Sequence, residues 1–271
     1  MTPSLSDRQV EAAERYQAQL VPALMAEWAP RVADEARIRP GDRVLDVACG
    51  TGVLTREATT RAGPSGEVTG LDLAEGMLAV AARLSPAIRW QQGSAEALPY
   101  PDRSFDAVVS QFGLMFVPDK ARALREMMRV LAPGGRLAIA VWASLERTPA
   151  YAAETRLVER MAGREAAQAL ESPYSLGDPG RVRELCRAAG IHQATVELRQ
   201  GRGRFPDIRS MVEVDVRGWL PLAGVELDTG LIEDILAAAE TELDPYLTRE
   251  PSGVSFYSPA VIAAATKPAL G

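Results

Sequence analysis

Histidine and cysteine are almost absent: the 271-residue chain has one histidine, His192, and two cysteines, Cys49 and Cys186. That excludes a structural zinc site of Cys/His ligands and a disulfide framework, and no resident metal is expected. It also leaves no His–Asp dyad to read as a catalytic base. A chain without a disulfide framework fits a reducing compartment, so a cytoplasmic location is expected. Long hydrophobic runs are missing too: no stretch approaches the ~18 uncharged apolar residues of a membrane-spanning helix. Residues Met1 to Glu14 are polar and carry both signs of charge, unlike a signal peptide. Positive charge is in deficit, with 30 Lys and Arg against 36 Asp and Glu and a net charge of −6. Phosphate neutralisation needs a basic footprint, so nucleic acid is not the expected partner, nor is a membrane. A small molecule is, and a homodimer is compatible with the sequence.

What is present is an alternation of short buried strands and helices. Ser6-Asp7-Arg8-Gln9 has the form of a capping box and predicts a helix start, with Val10, Ala13, Tyr16 and Leu20 at roughly helical spacing. Pro22 and Pro30 are expected to divide this segment into two or three short helices. After the turn Pro40-Gly41-Asp42, strands are predicted at 44–48, 68–71, 88–92, 105–110 and 136–142. The helices between them lie at 53–62, 74–84 and 119–131, the last with Asp119 as N-cap. Such β-α-β units make a parallel sheet with right-handed crossovers. Beyond Ser144 the pattern predicts helices at 150–161 and 165–170 and one capped by Asp178-Pro179. A strand at 194–199, a turn at Phe205-Pro206-Asp207, further helices to about Leu243 and a last strand at 253–264 complete the chain.

The segment Val44 to Thr55, VLDVACGTGVLT, is a buried strand, a glycine turn and a helix start. Glycines let backbone approach a ligand, and the helix N-terminus offers free N–H groups. Asp72 closes the next strand about 20 residues on, where a carboxylate accepts hydrogen bonds from ribose hydroxyls.

On these residues the chain resembles the class I methyltransferases that use S-adenosylmethionine (SAM). Asp46-Val47-Ala48-Cys49-Gly50-Thr51-Gly52 is similar to their first motif, and Gly70 to Leu78 to their second. Gln92 to Tyr100 resembles the adenine-side loop, Ser104 to Ser110 the fourth strand, and Glu126 to Gly135 the helix and Pro-Gly-Gly turn before strand five. These five motifs fall within residues 40–142 in the family's order. The group resembled most is that of the ubiquinone and menaquinone biosynthesis methyltransferases.

The resemblance implies an α/β, Rossmann-like fold: a mostly parallel seven-stranded sheet with helices on both faces and an α-helical cap. Residues 1–40 would form the N-terminal cap. Residues 41–271 would form the SAM-binding domain, with helical insertions at about 145–177 and 205–250. It implies SAM as cofactor and S-adenosylhomocysteine (SAH) as product. Asp46, Ala48, Gly50, Thr51 and Gly52 would line its methionine and ribose portions, and Asp72 would hold the ribose diol. Leu73 and Met77 would pack on adenine, Ser94 and Ala95 would face its edge, and Gln111 would sit near the methionine amino group. Tyr16 and Gln111 are the candidates for assisting catalysis, and Tyr16, Trp28, Tyr151, Tyr174 and Trp219 the candidates for the substrate cap. Ala48 stands where the family often has glycine. Ser94 stands where it often has Asp, and a neutral hydroxyl bonds an amino group more weakly than a carboxylate does.

Other features have plainer readings. Cys49 is a small residue packed in the turn, His192 a surface residue, and Met127-Met128 core filling. Arg199, Arg202, Arg204 and Arg209 form either a solvated edge or an anchor for an anionic acceptor. The expected reaction is in-line transfer of a methyl group to a small, hydrophobic or natural-product acceptor. The alternative is a cyclisation or rearrangement on the same SAM-binding fold. A nicotinamide-dependent oxidoreductase is disfavoured by the acid before the glycine turn. A nucleic-acid methyltransferase is disfavoured by charge and by Gln111-Phe112-Gly113-Leu114 after strand four.

Overall fold

The computed structural model describes residues 5–269, with side chains from Gln9 onward. Its main sheet has seven strands. β1 (Arg43–Val47), β2 (Glu67–Asp72), β3 (Arg89–Gln92), β4 (Phe105–Gln111) and β5 (Leu131–Trp142) run parallel in the spatial order β3-β2-β1-β4-β5. Their apolar runs are buried on both faces, with Val44, Leu45, Val47 and Ala107 to Val109 fully enclosed, as a sheet covered by helices on each side requires. Strand order reverses between β1 and β4, and the crevice outside their carboxyl ends is where such sheets take ligands.

Of the remaining strands, β6 (Thr195–Arg199) forms the outer edge of this sheet. β7 (Arg202–Phe205), β8 (Thr248–Glu250) and β9 (Gly253–Tyr257) make a separate three-stranded antiparallel sheet. β10 (Ala260–Thr266) runs antiparallel between β5 and β6. The single last strand expected at 253–264 is therefore two strands serving two sheets, separated at Ser258-Pro259. Pro259 has no N–H to give to a ladder, and its carbonyl accepts instead from Ala143 N at 3.0 Å. Strands of 3 to 5 residues amid helices leave too short an alternation for the sequence to mark the small sheet.

Helix ends follow their predicted caps. Asp119 accepts from Arg122 N at 2.8 Å and Asp178 from Arg181 N at 2.9 Å. At the other end of the helix Lys120–Val130, Lys267 Nζ donates to the carbonyls of Met128 and Leu131, satisfying groups that a helix C-terminus leaves open. The Pro-Gly-Gly turn after it is a bulge within β5, falling between the pairs Phe105–Leu131 and Ala107–Arg136.

Pro22 does not divide the N-terminal helix. The α-helix Leu5–Arg15 passes directly into a π-helical stretch, Tyr16–Met25, with Pro22 inside it. The wider turn bonds five residues back, as from Ala26 N to Val21 O at 2.8 Å, which accommodates a residue that has no N–H and crowds the carbonyl four back. Pro30 opens the next helix, Ala29–Glu35, in its first turn. The expected cap residue Ser6 falls inside the first helix, and its side chain lies outside the described residues.

Candidate cofactor and acceptor site

One cavity of about 540 Å³ opens at the carboxyl ends of β1, β2, β4 and β5. Its floor is the glycine turn after β1. Its roof is the π-helical stretch carrying Tyr16, and its far wall comes from the segments around Tyr151, Tyr174 and Trp219. A second π-helix, Val214–Trp219, completes that wall. Wide turns of this kind commonly re-aim side chains at functional sites.

Asp46 ends up at the cavity because β1 delivers it one residue before the strand stops. It is 1% exposed, and its Oδ2 accepts from Thr55 Oγ1 at 2.6 Å. Its Oδ1 is buried with no hydrogen-bond partner among the described residues. Burial pushes the carboxyl up to about 7, although the bond from Thr55 holds it down. Gln111, at the end of β4, is similar: Nε2 donates to Met25 O at 2.9 Å while Oε1 is left without a partner among the described residues. Asp72, at the end of β2, is fixed by two backbone donors, Gly50 N at 2.8 Å and Ala74 N at 2.9 Å. Burial raises its pKa against the pull of those two amides.

These groups fit SAM. Buried acceptors without donors are rare and point to a ligand that supplies them. Asp46 and Gln111 would take the methionine ammonium and Asp72 the ribose hydroxyls, and Gly50, at φ +56°, leaves the turn's backbone open to the cofactor. Tyr16 stands over Gly50, with its ring about 3.9 Å from where a side chain there would begin. Burial and the nearby charges of Asp72 and Asp46 raise the Tyr16 pKa well above the ordinary tyrosine value. It is therefore a neutral hydrogen-bond donor at neutral pH and not a base.

Ala48, Leu73, Met77, Ser94 and Ala95 also line the cavity, Leu73 at its mouth with 68% exposure. Thr51 and Gly52 lie behind the wall. Gly52, at φ +87°, precedes the helix Val53–Ala62, and the Thr51 carbonyl accepts from Arg56. The adenine-side loop is held by residues for which the motif gave no role. Arg129 donates to Glu126, Asp102 and the carbonyls of Leu98 and Tyr100, and Leu98 N donates back to Glu126.

Of the cap candidates, Tyr16, Tyr151, Tyr174 and Trp219 reach the cavity. Trp28 does not: it is fully buried behind the cavity wall, edge-on to Phe112 and Trp142, whose rings stack 3.6 Å apart. The arginine cluster is spoken for. Arg199 pairs with Glu35, Arg204 with Glu27 and Arg209 with Glu233, and Arg202 bonds Ser255, so the solvated-edge reading holds. Cys49 is buried in the turn, and burial keeps its thiol protonated.

Ala48 carries strain. It has φ +57°, a left-handed conformation that costs a residue with a Cβ about 1–2 kcal/mol. Its Cβ also lies 2.4 Å from where a Cβ on Gly113 would stand. Gly113→Ala is therefore expected to destabilise the fold by about 1–3 kcal/mol. Ala48→Gly is expected to be neutral or stabilising, and the double variant to recover most of the loss. Chemical denaturation of the four proteins measures this coupling.

The unliganded protein is also expected to melt at lower temperature at pH 8 than at pH 6. Asp46, and Asp215 on the far wall, are both raised to about 7 by burial, against 3.8 for an exposed Asp. A raised folded-state pKa gives stability that is full below the unfolded value and lost as pH climbs through the folded one, so the loss falls between pH 4 and just above 7. Carboxylates with lowered pKa, such as Asp106 and Glu126, are already ionised in both states across pH 6–8 and do not mask it. Scanning calorimetry in matched buffers reads the slope.

Known proteins match the segment that builds the floor of this site. Residues 45–139 match the family described as a methyltransferase domain. The chain is 46% identical over 118 residues to the ubiquinone/menaquinone biosynthesis C-methyltransferase UbiE of Hahella chejuensis, covering 41% of this chain and 47% of that protein. It is 45% identical over 111 residues to the demethylmenaquinone methyltransferase of Staphylococcus aureus, covering 40% and 46%. The match thus spans about half the length of these curated relatives. Among solved structures, phosphoethanolamine N-methyltransferase 2 of Haemonchus contortus, in complex with phosphomonomethylethanolamine and SAH, superposes with a TM-score of 0.60 at 17% identity. That superposition covers 96% of this chain and 58% of the other, and at such identity shows the fold alone. Residues 45–139 thus carry a methyltransferase domain, with SAM as its cofactor.

Proposed function

We propose that the protein transfers the methyl group of SAM to a small, largely apolar acceptor held in the far half of the cavity. The observation that carries this reading is one continuous cavity with two chemistries. One half offers Asp46, Asp72 and Gln111 to a polar cofactor; the other offers Tyr151, Leu170, Tyr174 and Trp219 to an apolar molecule.

When bound, SAM supplies a methyl group on a sulfonium, a leaving group already activated. The chain's residues then have to bind, align and exclude water, and alignment of two bound reactants supplies most of the rate. Asp46 and Gln111 would fix the amino-acid end and Asp72 the ribose. Tyr16 covers the turn as a neutral donor, and the aromatic wall keeps solvent from the acceptor.

The matching relatives are named for ubiquinone and menaquinone biosynthesis, so hydroquinone-type rings are the first acceptors to screen. The test is turnover with methyl-labelled SAM against a panel of hydroquinones, phenols and hydrophobic amines. Label in the organic product together with stoichiometric SAH supports methyl transfer. Product carrying no label, with SAM unconsumed, would instead favour a cyclisation or rearrangement.

A further inference from the structure

The far half of the cavity contains a feature that the cofactor does not use. Glu154 lies on the helix Pro149–Ala162, is 0% exposed, and has neither carboxyl oxygen hydrogen-bonded among the described residues. It faces Asp215, which comes from the second π-helix and lines the cavity. Burial, and then the charge of Asp215, hold the Glu154 carboxyl well above the usual range, and burial raises Asp215 as well, so Glu154 holds its proton the more strongly and Asp215, on the cavity wall, is the first of the pair to ionise. Tyr151 and Tyr174 flank the pair with ring centroids 5.7 Å apart, and both phenols stay neutral because of burial and the charge of Asp215. Trp219 is locked beside them by its Nε1 bond to Ala169 O at 2.8 Å. Among the described residues the cavity wall has one cation, Arg15, which sits on the roof helix and pairs with Glu11.

A fully buried Glu154 facing the half-buried Asp215 is costly to the fold, and well-packed apolar residues of the same size would be more stable there. A site that departs from good packing in this way does so for a ligand. Its walls are aromatic, with the phenol hydroxyls of Tyr151 and Tyr174 among them, and its one carboxyl at the cavity, Asp215, accepts hydrogen bonds, so the ligand group it suits is a donor.

We propose that Asp215, backed by Glu154, is the polar anchor of the acceptor subsite: it accepts a hydrogen bond from the protic head, a hydroxyl or an ammonium, of an otherwise apolar acceptor. This rests on the methyltransferase reading. Asp215 thereby orients the acceptor and, where the methylated atom is the one that bears the proton, is placed to receive it. In that case the new bond forms between the acceptor atom and the methyl carbon, the carbon–sulfur bond breaks with its electron pair on sulfur, and the proton passes to Asp215.

The test uses the whole protein saturated with SAH and three probes: 2-naphthol, 2-naphthylmethylamine and 2-methoxynaphthalene, which has no proton to donate. Calorimetry with SAH alone comes first; if SAH does not bind, the methyltransferase reading itself fails. With SAH bound, at least one protic probe is expected to bind tenfold or more tighter than 2-methoxynaphthalene, and which one does so tells a hydroxyl from an amine. Asp215→Asn is expected to remove that advantage while leaving SAH binding unchanged. Glu154→Gln is expected to weaken the advantage and to raise the melting temperature by about 2–4 °C, the mark of a group kept for function at a cost in stability. Equal affinities for the three probes, an advantage that survives Asp215→Asn, or no binding by any probe to the SAH complex would each overturn the proposal.

Discussion

Asp72→Ala is expected to weaken SAM and SAH binding by 100-fold or more. The side chain has two separable tasks. It accepts from Gly50 N and Ala74 N, which fixes the glycine turn against the start of the next helix. It also lines the cavity, where its proposed role is to accept from both ribose hydroxyls. Hydrogen bonds to a charged group contribute about 1.5–3 kcal/mol each, so losing two gives about 3 kcal/mol or more, beyond a factor of 100 in affinity. Asp72→Asn keeps the shape and one acceptor oxygen and is expected to fall between the two. Calorimetric titration of the three proteins with SAH gives the comparison. Equal affinity in wild type and Asp72→Ala would remove the ribose role.

The second large effect is expected at Gly52. Its φ of +87° is a left-handed conformation, and a Cβ there would meet the Trp90 ring at 2.4 Å. Gly52→Ala therefore combines a backbone cost of about 1–2 kcal/mol with overpacking of about 1–3 kcal/mol. For a chain of this size that corresponds to a melting temperature lower by about 10 °C. Because the glycine turn and the first turn of the following helix must shift together, SAH affinity is expected to fall with stability even though Gly52 does not touch the cavity wall. A variant with unchanged melting temperature would show that the turn tolerates a side chain, and would contradict the packing described around Trp90. Gly70 is under the same constraint, since a Cβ there would lie 2.5 Å from the same ring, so the Trp90 side chain is the element on which both glycines are fitted.

The half of the chain that binds the cofactor was legible because its residues do two things at once. Val44 to Val47 mark a buried strand by their apolarity and carry Asp46 to its end. Asp72 marks the end of the next strand and stands at the cavity, where the proposed role is to hold the ribose. Asp119 and Asp178 announce helix starts through caps that the structure reproduces. The other half was less legible for physical reasons. Pro22 reads as a breaker, and only a π-helical register, invisible in composition, lets the helix run through it. The small sheet pairs β7 with β9 about fifty residues on, and its local hairpin of β8 and β9 has strands too short to show an alternation. Trp28 reads from the sequence as a substrate-cap candidate, but an indole enclosed by Phe112 and Trp142 faces the core instead.

Glu154 was missed although a signal existed. Ala150, Tyr151, Glu154, Leu157 and Val158 share one helical face by their spacing, and that face is buried. A carboxylate among apolar residues at that period is an anomaly in the sequence. Asp215 carries no comparable mark, because the π-helix that turns it inward follows no 3.6-residue pattern. Gly113 likewise gains its meaning only from the approach of Ala48 across the crevice.

The most direct test of the account is the crystal structure of the protein with SAH. The expected complex has the ribose hydroxyls on Asp72, the ammonium at Asp46 and Gln111, and the sulfur facing the half of the cavity walled by Tyr151, Tyr174 and Asp215. A nucleoside bound away from Asp72, or a sulfur turned from that wall, would contradict it.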